Sequence, residues 1–233
     1  VKNFPSGYIP TSQQKRVLKR VQTALNGDKK FVIICAPTGT GKSMISKSIG
    51  NASPEPGNRW QELVDDNLLF KQTHADDAYE CDSFGSYVLT ITKNLQNQYK
   101  DLFEDTSILK GKSNYRCNVD EQYDVETAPC VLLPALKNSC IGADTCHYYN
   151  SRRDAISNKF SALNYKMFLS LPPHVRRRKA IICDEASELE EELVKRFSIT
   201  IDYNTLNRLG VTHSKLLTID KRQVLNWFTS IIS

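Results

Sequence analysis

The chain has 233 residues, 40% of them hydrophobic and 24% charged, with a formal net charge of +5; this suits one large domain, or a core domain with a satellite, and leaves room for a sizeable core. No apolar run approaches the roughly 20 residues that a bilayer span needs, and Val1 to Pro10 lacks the apolar centre of a signal peptide, so the reading is a soluble intracellular protein of cytoplasm, nucleoid or nucleus with no membrane partner. In such a compartment thiols stay reduced, and seven cysteines, an odd number, exclude a secreted disulfide framework.

In chain order, Val17, Leu18, Val21 and Leu25 fall at helical spacing behind Ser12 as a cap, which predicts an opening amphipathic helix over Gln13 to Leu25. Phe31 to Cys35 is a short apolar run rich in β-branched residues and predicts a buried parallel strand, with Cys35 as a small core residue. Met44, Ile45 and Ile49 begin the next helix. From Asn51 to Ser86 the chain is polar and irregular, with a short helix expected at Trp60 to Phe70. Tyr87 to Ile91 reads as a strand, followed by a helix carrying Leu95, Tyr99, Leu102 and Phe103. The stretch from Lys110 to Tyr149 has little periodicity and four of the cysteines, like a small module inserted in an α/β frame. Ala155, Ile156, Phe160 and Leu163 read as one helix face, Lys179 to Cys183 as a third buried strand, and Leu189 and Leu193 as the helix beyond it. Strands alternating with helices predict an α/β fold, a parallel sheet with helices on both faces. The chain begins with Val1, and its last segment, Val224 to Ile232, reads as half of a packed element, so a fragment is expected.

Two motifs carry chemistry. Ala36, Pro37, Thr38, Gly39, Thr40, Gly41, Lys42 and Ser43 stand between a strand-like run and a helix-like one. Glycines let backbone N–H groups approach phosphates, a lysine reaches the β and γ oxygens, and a hydroxyl holds Mg²⁺, so the segment is read as an ATP-binding phosphate loop. Such a loop needs a carboxylate at a neighbouring strand end and a base for water. Asp184, on the metal, and Glu185, on the water, follow the run Ala180 to Cys183 in that manner. The basic groups Lys15, Arg16, Lys19 and Arg20, Arg152 and Arg153, and Arg176 to Lys179 are either solvated faces or a track for a phosphate backbone. Cys117, Cys130, Cys140 and Cys146 are four thiolates within 30 residues. They are enough for one [4Fe–4S] cluster, lack the close Cys-x-x-Cys pair usual in structural zinc sites, and taken alone leave iron–sulfur, zinc and unligated thiols open. Tyr148 and Tyr149 are either base-stacking or core residues, and His147 is expected to face solvent.

The loop together with Asp184-Glu185-Ala186-Ser187 resembles a superfamily 2 helicase, in which the fourth position of the acidic box, here Ser187, is usually His. More specifically, the chain resembles the XPD/DinG iron–sulfur helicases. Thr92 to Gln98 is similar to their strand-end motif for single-stranded DNA, Lys110 to Cys117 to the approach to the first cluster cysteine, Cys146 to Tyr149 to the end of the cluster module, and Leu163 to Tyr165 to the stretch before the acidic box. The resemblance implies a RecA-like P-loop domain and places a [4Fe–4S] cluster on the four cysteines. It implies adenine contact by Gln14, DNA contact by Thr92, Lys93, Lys112 and Arg116, and 5′ to 3′ movement on single-stranded or forked DNA. The implied plan is motor domain over 1–109 and 151–196, cluster module over 110–150, and the start of a helical arch domain over 197–233, with a strand at Ser198 to Ile201 and a helix at Arg222 to Ile232. A second motor domain, bearing the arginines that complete the ATP site, is implied in a longer chain or a partner. The alternatives are a nucleotide- and DNA-binding module that never unwinds, and a P-loop ATPase with a zinc module.

Overall fold

The computed structural model describes residues 3–198, apart from 28, 72–74, 134–135, 137–139 and 143, together with 204, 208, 222–223, 226 and 229. The chain divides into two compact units, Val1–Leu193 and Val194–Ser233. Among the described residues no helix is long and apolar enough to cross a membrane.

Unit 1 is built on a parallel sheet of four strands in the order β2-β3-β1-β4. These are β1 (Ser86–Thr90), β2 (Ser107–Leu109), β3 (Phe160–Asn164) and β4 (Ala180–Cys183). Parallel strands need crossovers, and helices supply them: α5 (Lys93–Leu102) leads from β1 towards β2, and α7 (His147–Ser157) runs into β3. The others are α1 (Ser12–Asn26), α2 (Lys42–Ala52), α3 (Asn58–Asp65), α4 (Ala75–Glu80), α6 (Pro129–Leu132), α8 (Tyr165–Ser170), α9 (Pro173–Arg176) and α10 (Leu189–Phe197).

The central strand β1 is buried at every residue and pairs in register with both neighbours, Val88 opposite Ala162 of β3 and Ile182 of β4. The core lies on both faces. A larger cluster gathers Trp60, Leu63, Tyr87, Leu89, Ile156, Leu163 and Tyr165; a smaller one holds Val88, Tyr99, Phe103, Phe160 and Ala162. Val125, Cys146 and Tyr148, all from the stretch with little periodicity, belong to the larger cluster. Helix α2 lies close over β3 at Gly50, where an added Cβ would stand 2.2 Å from the Phe160 ring.

Several expectations are corrected. The cap of α1 is Thr11, in a capping box with Gln14, and Ser12 is already helical. Phe31–Cys35 is irregular and outside the sheet, with Phe31 and Ile33 both 88% exposed and Cys35 exposed as well. Apolar β-branched composition reports what a segment gains from a pleated, buried setting; it does not supply the partner strand. The face read from Ala155 to Leu163 as one helix is a helix followed by a strand. Asn158 makes the switch: its backbone N–H donates to Asp154 O and closes α7, while its side chain accepts from Phe160 N and donates to Asp105 O and Ser107 Oγ. The strand β2 was not anticipated, because three residues carry no legible period. The expected strand at 198–201 lies outside the described residues apart from Ser198. Of the tail helix at 222–232, Arg222, Gln223, Asn226 and Thr229 are described, and they are helical.

Candidate functional site

The phosphate-loop segment turns on two left-handed glycines, Gly39 at φ 81° and Gly41 at φ 79°. Backbone of that sign strains any residue with a Cβ, and at Gly41 a Cβ would also stand 2.3 Å from Gln14 Nε2. Thr40 Oγ1 donates to Pro37 O at 2.8 Å. Lys42 Nζ folds back over the loop onto the carbonyls of Ala36 and Pro37, at 3.2 and 3.3 Å. Gly41 caps α2, with Lys42 and Ser43 in its first turn, so unpaired N–H groups and the positive end of the helix dipole point at the loop. Thr38 is exposed at its rim. Gln14 reaches the loop from α1: Nε2 donates to Thr40 O at 3.2 Å while Oε1 accepts from Thr11 N at 2.9 Å.

The acidic box begins where β4 ends. Asp184 N donates to Leu89 O at 2.9 Å, which continues the ladder to β1. Glu185 is exposed and held in the left-handed region at φ 52°, an uncommon conformation for a residue with a Cβ and one that concentrates at functional sites. Two buried tyrosines hold Asp184. Tyr99, on α5, donates to Asp184 Oδ2 at 3.0 Å, and the hydroxyls of Ser46 and Ser43 stand beside the same phenol. Tyr165, at the start of α8, donates to the Asp184 carbonyl at 2.9 Å. Burial, and then the Asp184 carboxylate, push the Tyr99 phenol well up from its ordinary value, so it stays a neutral donor. The strand-end aspartate is thus bonded to a phenol that also stands beside the loop serine, 141 positions away in sequence. Neither tyrosine is legible as a site residue in sequence, since hydrogen bonds across 85 and 19 residues leave no local signal.

The expected nucleic-acid contacts separate into two places. Thr92 and Lys93 are exposed at the start of α5, where Thr92 Oγ1 accepts from Leu95 N. One turn on, the fully buried Gln96 ties the helix to the sheet by donating to Leu109 O of β2 and Ala162 O of β3. Lys112 and Arg116 lie at the edge of the cysteine stretch: Lys112 Nζ stands 5.9 Å from the Tyr148 ring centre, and Arg116 is exposed and bridged through its backbone to Asp124.

The four cysteines come together. Cys117 and Cys146 are buried and Cys130 and Cys140 half-buried, and all four line one small cavity with Val125, Ala128 and Tyr149. Burial first, then Cys140, Cys117 and Cys146, push the Cys130 thiol up. No group of three or more His, Cys, Asp or Glu side chains among the described residues is placed to hold a metal ion. His147 is exposed, and Tyr148, 5% exposed, packs edge-on against Tyr115 and Tyr149 as a core residue. A second cavity, about 320 Å³, lies between α3 and α7 and holds the Arg152 side chain; burial pulls that guanidinium down to about 10. No residue of the phosphate loop or acidic box lines it.

The family model described as Type III restriction enzyme, res subunit, matches residues 8–212. The chain belongs to that family. No curated protein matches it significantly. The res-subunit family is one of superfamily 2 motor domains, so the chain is an ATP-hydrolysing helicase-type motor domain that uses ATP and Mg²⁺ and acts on nucleic acid. The parallel sheet flanked by helices is the RecA-like α/β architecture that such a domain requires.

Proposed function

We propose that the chain is the first motor domain of an ATP-dependent DNA helicase of the iron–sulfur type, moving 5′ to 3′ on single-stranded DNA. Its domain plan is a motor domain over 1–109 and 151–196, a cluster module over 110–150 and the start of an arch domain over 197–233. The observation that carries the iron–sulfur reading is the shared cavity of Cys117, Cys130, Cys140 and Cys146, because four thiols on one cavity are the donor set that such a cluster takes. When bound, a cluster would cross-link the stretch between β2 and α7 through those four side chains. Zinc on the same thiols is the competing outcome.

At the nucleotide, Gln14 faces the adenine, and the backbone of Ala36 to Ser43 cradles the phosphates. Lys42 leaves its carbonyl partners to balance the charge on the β and γ oxygens. Ser43 and Asp184 are the residues that would hold Mg²⁺, which would supply charge neutralisation at the phosphates when bound. Glu185 accepts the proton of the water that attacks the γ-phosphoryl group. Thr92, Lys93, Lys112 and Arg116 contact the DNA strand, largely at phosphates, so binding weakens as salt rises.

The test is ATP turnover by the purified chain with and without single-stranded DNA. The expected result is slow turnover, since an arginine supplied by a second motor domain is worth roughly 10³–10⁵ in related phosphoryl transfers. Glu185→Gln should lower even that rate by ~100-fold or more while nucleotide still binds. Turnover unaffected by Glu185→Gln would contradict the assignment of the base.

A further inference from the structure

The Asp184 carboxylate has two oxygens to orient, and a separate donor meets each. Asp184 Oδ1 accepts from the N–H of Glu185 at 3.2 Å, and Oδ2 accepts from the Tyr99 hydroxyl at 3.0 Å. The phenol is 1% exposed, and its ring is fixed between Phe103 and Phe160, each 6.2 Å away between centres. It has one proton to give, and that proton goes to Asp184; the Ser43 and Ser46 hydroxyls stand beside the same phenol. A tyrosine at this place is more than packing requires, because phenylalanine would fill the same space between two phenylalanines.

We propose that Tyr99 is a positioning residue for the nucleotide-bound Mg²⁺: its hydroxyl holds the Asp184 carboxylate in one orientation from behind, beside the loop serine Ser43. The inference rests on the reading of Asp184 and Ser43 as the residues that hold the ion. Groups that orient metal-binding carboxylates from behind are worth ~10–100-fold in metal affinity or activity when removed. Tyr99 also stands two helical turns, about 10 Å, along α5 from Thr92, and Gln96 pins the helix to β2 and β3 between them.

The experiment is a Mg²⁺ titration at fixed nucleotide, read both as binding of a fluorescent non-hydrolysable ATP analogue and as ATP turnover, for the wild-type chain, Tyr99→Phe and Tyr87→Phe. The first variant keeps the ring and removes the hydroxyl. The second removes an equally buried hydroxyl that donates to Val175 O at 3.2 Å, away from the nucleotide site. The expected result is a ~10–100-fold rise in the Mg²⁺ needed for half-maximal binding and turnover in Tyr99→Phe, with excess Mg²⁺ restoring both and Tyr87→Phe titrating like wild type. An unchanged Mg²⁺ requirement in Tyr99→Phe, whatever its melting temperature, overturns the proposal, and so does an equal shift in Tyr87→Phe. A wild-type chain with no Mg²⁺-dependent binding or turnover overturns the nucleotide-site reading beneath it, which is a different result from a responsive wild type and an indifferent variant.

Discussion

At the scale of single residues, the nucleotide site is held by backbone geometry as much as by side-chain chemistry. Glu185 combines the two, since its carboxylate points to solvent from a left-handed backbone at φ 52°. A strained φ of this kind costs on the order of 1–3 kcal/mol, and glycine would release it. Glu185→Gly should therefore leave the chain as stable as wild type or more stable by about 1 kcal/mol in denaturant titration, even after glycine's entropy loss, while ATP turnover disappears. A destabilised variant would show that Glu185 carries packing rather than strain. The loop from Ala36 to Ser43 and the pair Asp184-Glu185 stand out in sequence as the proposed site because their chemistry is local, with glycines, a lysine and acids at fixed short spacing. Their connections do not. Gln14 meets Thr40 across 26 residues and Tyr99 meets Asp184 across 85, and no periodicity encodes either contact.

At the scale of elements, the sheet and its helices follow from apolar patterning wherever a segment is buried on a definite face. The strands at Ser86–Thr90 and Ala180–Cys183 and the helix at Lys93–Leu102 lie where their patterns put them, but Ala180–Cys183, expected to be buried, is only half-buried, with Ile181 39% exposed. Patterning fails at junctions. The spacing of Ala155, Ile156, Phe160 and Leu163 is helical, yet the Asn158 side chain takes the chain out of α7 and into β3. At Phe31–Cys35 the pattern is strand-like without a strand, because pairing requires a partner that local sequence cannot specify. The close approach of α2 to β3 gives a direct test of packing. In Gly50→Ala, helix propensity returns at most about 1 kcal/mol, while a Cβ placed 2.2 Å from the Phe160 ring forces helix or ring to shift. Overpacking of this kind costs about 1–3 kcal/mol. Lys47 Nζ lies 4.5 Å from the same ring centre, with its charge paired to Asp105, so the ring has little space to yield. The expected outcome is a net loss of about 1–2 kcal/mol by denaturant titration; a gain would mean that the ring moves freely.

At the scale of the whole molecule, one motor fold carries the proposed ATP site, with Asp184 at the end of β4, and a cysteine stretch that has little secondary structure of its own. Fold class was readable from the order of strands and helices. The cysteine stretch was readable only as composition, since the side chains that seat it, Val125, Cys146 and Tyr148, join a core assembled from Trp60 to Val175. Small segments that cannot bury enough apolar surface commonly depend on a metal for their stability, and a cluster on the four thiols would explain why this one needs no regular elements. The chain should accordingly lose thermal stability when the cysteines are changed to serine. The measurement that tests the central claim most directly is the iron and acid-labile sulfide content of anaerobically purified chain. The account predicts about four of each per chain, a brown protein, and loss of both in Cys117→Ser. A colourless protein with stoichiometric zinc, or with no metal on the four thiols, would contradict it.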